Sequence, residues 1–251
     1  MAATGAPAAG SGFGSTLRRD AWWVEVLPVI VLLGGFGLYA TLRAFEGKFY
    51  EWGPYLSPFY SPLIDANHRW WKWSPAILIL GGPLSFRATC YYYRKAYYRA
   101  FAGSPPGCAV GPLAGGRTYR GETALLVFQN LHRYALDFAL AFIVILGKDA
   151  VEGFFKDGKP GIGVGSVILT INVVLIASYT FGCHSFRHLI GGRSDCMSCG
   201  KNTIQLGAWK RATWFNIRHM QFAWASLIWV MVTDLYIRLY AMGVIKDLHT
   251  W

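Results

Sequence analysis

Apolar residues gather in five long runs separated by shorter polar segments, at approximately 22–43, 73–100, 122–147, 163–190 and 212–242. Each exceeds the roughly 20 helical residues needed to cross a hydrocarbon core of about 30 Å. The pattern predicts an all-α fold, an integral membrane bundle of five transmembrane helices in a domain covering 22–243. The second run carries Gly81, Gly82 and Pro83. Proline removes a backbone donor and clashes with the preceding turn, so a bend is expected there. Residues 1–21 open with Ala, Gly, Ser and Pro without periodicity and read as a disordered cytoplasmic tail; 244–251 read as an outer C-terminal tail. Arg18 and Arg19 ahead of an apolar run resemble a signal peptide, but the run passes Tyr39 without a small-residue cleavage site and reads as a retained helix.

Orientation follows from the segments between runs, because cytoplasmic loops keep positive charge. With the N-terminus inside, thirteen Lys and Arg fall on the cytoplasmic side and nine outside, where most of the acids also lie. The chain is 54% hydrophobic and 15% charged, against about 25% charged in soluble domains. Its net charge of +11 would suggest nucleic acid in a soluble protein. Here the charges are confined between apolar runs, so a lipid bilayer is the expected partner and nucleic acid is not. The outer connection 44–72, with Trp52, Tyr55, Phe59, Tyr60, Trp70 and Trp71, is expected to lie on the membrane surface, a quinone or lipid pocket being the alternative. Tyr91, Tyr92, Tyr93, Tyr97 and Tyr98 suggest a similar belt at the inner side.

No phosphate-binding glycine loop and no Ser/His/Asp signature is present. The chemistry-bearing residues are instead cysteine and histidine. At 1.5 Å of rise per residue, Cys90 and His132 lie roughly 15 Å from their cytoplasmic helix ends, and Cys183 and His219 about 10 to 12 Å. Four helices thus offer two Cys and two His at similar depth, the ligand count of a [2Fe-2S] cluster with two thiolates and two imidazoles. The soluble Rieske spacing is absent. Cys183 and His184 are adjacent, about 100° apart around a helix, so they are not expected to share a centre.

Three alternatives stay open at this level. Cys196 and Cys199 form a Cys-x-x-Cys pair that, with Cys108, suggests a loop-borne metal. A single haem b held by His132 and His184 is a second, with His188 and His219 as further axial candidates. The third is a transporter or channel lined by Arg87, Arg133 and Asp137, since ionisable groups within apolar spans are costly and tend to be paired or functional. Arg133 and Asp137 stand at i and i+4 and are expected to pair; beside His132, Arg87, Arg133, Asp137 and His188 could instead serve a quinone or proton path.

The run Thr89-Cys90-Tyr91-Tyr92-Tyr93-Arg94-Lys95-Ala96-Tyr97-Tyr98-Arg99, the segment Gln129-Asn130-Leu131-His132-Arg133-Tyr134 and Gly182-Cys183-His184-Ser185-Phe186-Arg187-His188 together resemble the membrane anchor subunit of actinobacterial succinate dehydrogenases, over most of 22–242. The similarity is to the haem-free type with a Rieske-like cluster inside the membrane. The resemblance implies a multi-pass subunit of the bacterial inner (cytoplasmic) membrane. It implies docking of the flavoprotein and iron–sulfur subunits on the cytoplasmic face and electron transfer from succinate to menaquinone; a further small membrane subunit is a candidate partner. Carried over residue by residue, it makes Cys90, His132, Cys183 and His219 the cluster ligands, with His184 as substitute. The first two helices lack the histidines of the two-haem type, and Cys90 stands in the second.

Overall fold

A backbone in lipid has no water to bond, so a spanning segment must close its own hydrogen bonds, and helix is the default. The computed structural model describes residues 12–64, 73–113, 123–192, 196 and 203–251 and is mostly helical. A 3-10 turn at Trp22–Glu25 leads into α1 (Leu27–Glu46). Pro28 sits in the first turn of α1, where a missing donor costs nothing, and Gly47 in the left-handed region (φ 62°) ends it. The remaining helices come as four broken pairs: α2 (Pro75–Thr89) and α3 (Tyr91–Tyr97), α4 (Thr123–Asn130) and α5 (His132–Glu152), α6 (Val164–Phe181) and α7 (His184–Gly191), and α8 (Thr203–Ile217) and α9 (His219–Ala241). Helix α6 packs between α5 and α9, and α2 packs on α5.

Among the described residues, three helical stretches are long and apolar enough to cross a membrane: Trp22–Glu46, Val164–Phe181 and His219–Ala241. Helix α2, at 15 residues, rises only about 22 Å, and α5 carries Arg133, Asp137, Lys148, Asp149 and Glu152.

The second apolar run stays helical through its glycines and proline, where a bend is expected, and breaks further on. Pro83 lies inside α2, and the helix stops at Cys90, whose ψ of 130° is extended. At Gly82 the absence of a side chain lets Phe138 and Phe142 of α5 approach closely, so this stretch is spent on packing.

Two hairpins, β1 (Glu51–Trp52) with β2 (Tyr55–Leu56) and β3 (Phe155–Lys156) with β4 (Lys159–Pro160), sit at helix ends. Of the aromatics after β1, Tyr55, Phe59 and Tyr60 are buried in the bundle, and Trp70 and Trp71 lie outside the described residues. A buried ion pair lies beside Tyr60. Arg43 of α1, 1% exposed, donates to Asp234 of α9, 0% exposed, at 2.7 Å. Asp234 also accepts from Tyr39 at 2.5 Å and from Ser57, while Tyr60 donates to the Arg43 carbonyl. A buried ion pair must be hydrogen-bonded on all sides, and the loop supplies those bonds.

Residues 14–16, 248 and 250 make hydrogen bonds to the rest of the chain, and residues 1–11 lie outside the described residues. Gly14 donates to Gly111, Gly111 to Ser15, and Thr16 to Ala109, so residues 12–16 are docked on the segment that follows the π-helical turn Tyr98–Ala102. Val164 donates to Leu248 and Thr250 to Ile162. Asp247 accepts from Tyr55 at 2.7 Å, Tyr236 at 2.6 Å and the Gly165 amide at 3.4 Å, a carboxylate at the positive end of α6.

Candidate metal centre

Every helix pair breaks at a candidate ligand or one residue before it. Cys90 separates α2 from α3 and Cys183 separates α6 from α7; both are extended (ψ 130° and 142°) and cap the helix that follows. The Arg94 and Arg187 amides donate to their carbonyls. His132 and His219 are the first residues of α5 and α9. The N-termini of α3, α5, α7 and α9 therefore open toward one region. The N-terminal end of a helix carries partial positive charge, which favours an anionic group.

His132 Nε2 lies 2.9 Å from Cys183 Sγ, and Cys90 Sγ lies 3.7 Å from His219 Nε2. Cys90, Cys183 and His132 are all buried, in the apolar cluster of Phe86, Tyr93, Leu136, Tyr179 and Leu227. Each imidazole is stacked, His132 on Phe86 at 4.5 Å and His219 on Tyr179 at 4.9 Å. The second nitrogen of His132 meets Thr89 Oγ1 at 2.9 Å. That of His219 is buried without a partner.

Among the described residues, no three Cys, His, Asp or Glu side chains converge as they would around one ion. The set is two Cys–His contacts contributed by four helix breaks. Two thiolates and two imidazoles suit an iron–sulfur group. The apolar surroundings and the four helix N-termini fit it as well.

Other sequence candidates fall elsewhere. His184 is exposed and faces His188, with their Nε2 atoms 3.0 Å apart, and does not join the four. Arg87 flanks the centre: it donates to Tyr93 (2.7 Å), the Ala223 carbonyl (3.3 Å) and Ser226 (2.9 Å), and its guanidinium lies 4.8 Å from the Tyr179 ring. Arg133 and Asp137 are both exposed on α5 and form no ion pair with each other. Helix spacing permits the pair, but nothing buries these side chains to hold it. Cys108 is an exposed free thiol. Cys196 is disulfide-bonded, which removes the thiolate a metal would need; Cys199 lies outside the described residues. Nor is the tyrosine run simply an interfacial belt, since Tyr93 is buried and donates to Ala223.

Thr89, Phe86 and Tyr179 were not legible as site residues. Their signal is helical spacing: Phe86 and Tyr179 stand four before Cys90 and Cys183. Asp234 carried the same signal as Asp137, an acid inside an apolar run, and is the one that is buried.

The family model for the actinobacterial succinate dehydrogenase subunit SdhC matches residues 24–243. The chain belongs to this family. It is a membrane anchor subunit of a succinate dehydrogenase. Among solved structures, a chain from "Mycobacterium smegmatis Sdh1 complex in the apo form" is similar to it at 39% identity and a TM-score of 0.84, with 94% of each chain covered. No curated protein matches. The family match takes in all eight helices α2 to α9, and with them the four residues at the helix breaks.

Proposed function

We propose that this SdhC-family chain carries electrons from the iron–sulfur subunit of succinate dehydrogenase to menaquinone, through a Rieske-like [2Fe-2S] cluster held by Cys90, His132, Cys183 and His219. The observation that supports it is the coincidence of all four helix breaks with these four residues, in apolar surroundings. The cluster would supply one-electron transfer inside the membrane. The chain's own residues do the rest. The two capping cysteines and the helix N-termini hold negative charge, Thr89 fixes the His132 ring, and Phe86 and Tyr179 keep water from the imidazoles. Arg87 adds a fixed positive charge beside Tyr179 and is the best placed of the quinone-path candidates.

In this reading the chain crosses the bacterial cytoplasmic membrane five times with its N-terminus inside. The flavoprotein and iron–sulfur subunits dock where α3 and α7 end and α8 begins. Exposed Arg133 and Asp137 on a spanning helix call for cover by a neighbouring membrane polypeptide, since lipid does not solvate them.

The test is iron and acid-labile sulfide analysis of the purified complex with EPR after reduction. One [2Fe-2S] centre beyond those of the soluble subunits is expected, absent in Cys90→Ala and Cys183→Ala. No extra centre, or a haem Soret band in its place, would overturn the reading.

A further inference from the structure

His184 and His188 stand one helical turn apart on α7, on the same face. Both are exposed, and their rings are perpendicular (87°) with centroids 4.4 Å apart. Their Nε2 atoms converge to 3.0 Å. Two imidazole nitrogens each about 2.05 Å from a shared ion would be about 2.9 Å apart at a right angle and about 3.3 Å apart at the tetrahedral angle. The observed separation lies between these values. A shared proton would lie on the line between the two nitrogens, whereas a chelated cation would lie beside it, at the apex between the two rings.

The geometry points to a second metal site, a surface site for a late first-row divalent cation (zinc, nickel or copper) held by His184 and His188 and completed by water. Imidazole ligands suit these ions, and oxygen-seeking magnesium or calcium would not compete. The cation between the two histidines in sequence does not obstruct the site. Arg187 points to α8, where it donates to Asn216 at 3.2 Å and stacks on Trp209 at 4.6 Å. The site does not depend on what the four buried residues hold. It is coupled to them, because a cation bridging residues 184 and 188 fastens the first turn of α7, whose cap is Cys183.

The experiment is Zn2+ binding to the intact, detergent-solubilised complex, by equilibrium dialysis and by the rise in thermal midpoint that a ligand of the native state produces. Wild type is expected to bind one Zn2+ per chain that is lost, with at least a tenfold fall in affinity, in His184→Gln or His188→Gln. A register control, His188→Leu with Leu189→His, keeps the histidine count but places the rings about 140° apart around the helix; it should behave like the single variants. Both histidines and Leu189 are exposed in this chain, and the subunit and iron content of each variant complex separates loss of the site from loss of assembly. Equal Zn2+ binding by the register control, or no histidine-dependent Zn2+ in wild type, would overturn the assignment and leave a simple His–His hydrogen bond.

Discussion

His132 Nε2 lies 2.9 Å from the sulfur of Cys183, across 51 residues of sequence, while the other nitrogen of the ring meets Thr89 Oγ1, also at 2.9 Å. One imidazole thus ties three helices together. Outer partners of a metal-bound histidine typically govern affinity by 10- to 100-fold. Thr89→Val keeps the shape and removes the hydroxyl, so the complex should assemble with weakened iron retention at this site. Iron per complex after mild chelation, with the EPR line shape, measures it; unchanged retention would mean that Thr89 does not orient a ligand.

Gly182 precedes Cys183, and a β-carbon there would come within 2.8 Å of the Phe215 carbonyl. The Gly182 carbonyl is itself held by Asn216 Nδ2 at 2.7 Å. The α6 break and the α8 C-terminus therefore sit too close for any side chain. Gly182→Ala should displace Cys183 and lower cluster content, and Gly182→Val should do so more severely. The ratio of extra iron to chain in the two variants checks the order.

The Arg43–Asp234 pair is almost fully withdrawn from solvent. Removing one member of a buried pair typically costs about 3 to 5 kcal/mol, whereas replacing both with apolar groups can be neutral. Asp234→Leu or Arg43→Met alone should sharply lower the thermal midpoint in detergent, and the double variant should recover most of the loss. A double variant as unstable as the singles would show that Ser57, Tyr39 and Glu46 carry the stability instead.

Asp247 clamps the C-terminal segment through Tyr55, Tyr236 and the Gly165 amide. Asp247→Ala should cost about 2 kcal/mol, a charged hydrogen bond being worth roughly 1.5 to 3, and should speed amide exchange at Val164 and Thr250. Burial first, and then the bond to Asp247, push the Tyr55 hydroxyl above its ordinary value of 10. The native state holds this proton more tightly than the unfolded chain. Its stability contribution is therefore complete below about pH 10 and falls as pH rises toward the native value. Alkaline unfolding should start earlier in wild type than in Tyr55→Phe, after normalising for the lost hydrogen bond.

The apolar pattern alone determined that the chain is helical and membrane-embedded, because a hydrocarbon core admits few other ways to satisfy a backbone. Residue type at similar depth singled out Cys90, His132, Cys183 and His219, since distance along a helix is fixed by its rise. The sequence could not place the breaks. Pro83 was the strongest local breaker and is helical, whereas Cys90 interrupts its helix with no proline or glycine beside it; at Cys183 only the neighbouring Gly182, the C-cap of α6, marks the break. Local propensity is worth about 1 kcal/mol per residue, and packing among four helices outweighs it. Tertiary structure alone decided which neighbours face inward: Cys183 but not His184, and Asp234 but not Asp137. A change of one helical position rotates a side chain by about 100°, and only the neighbouring helices determine which way is in.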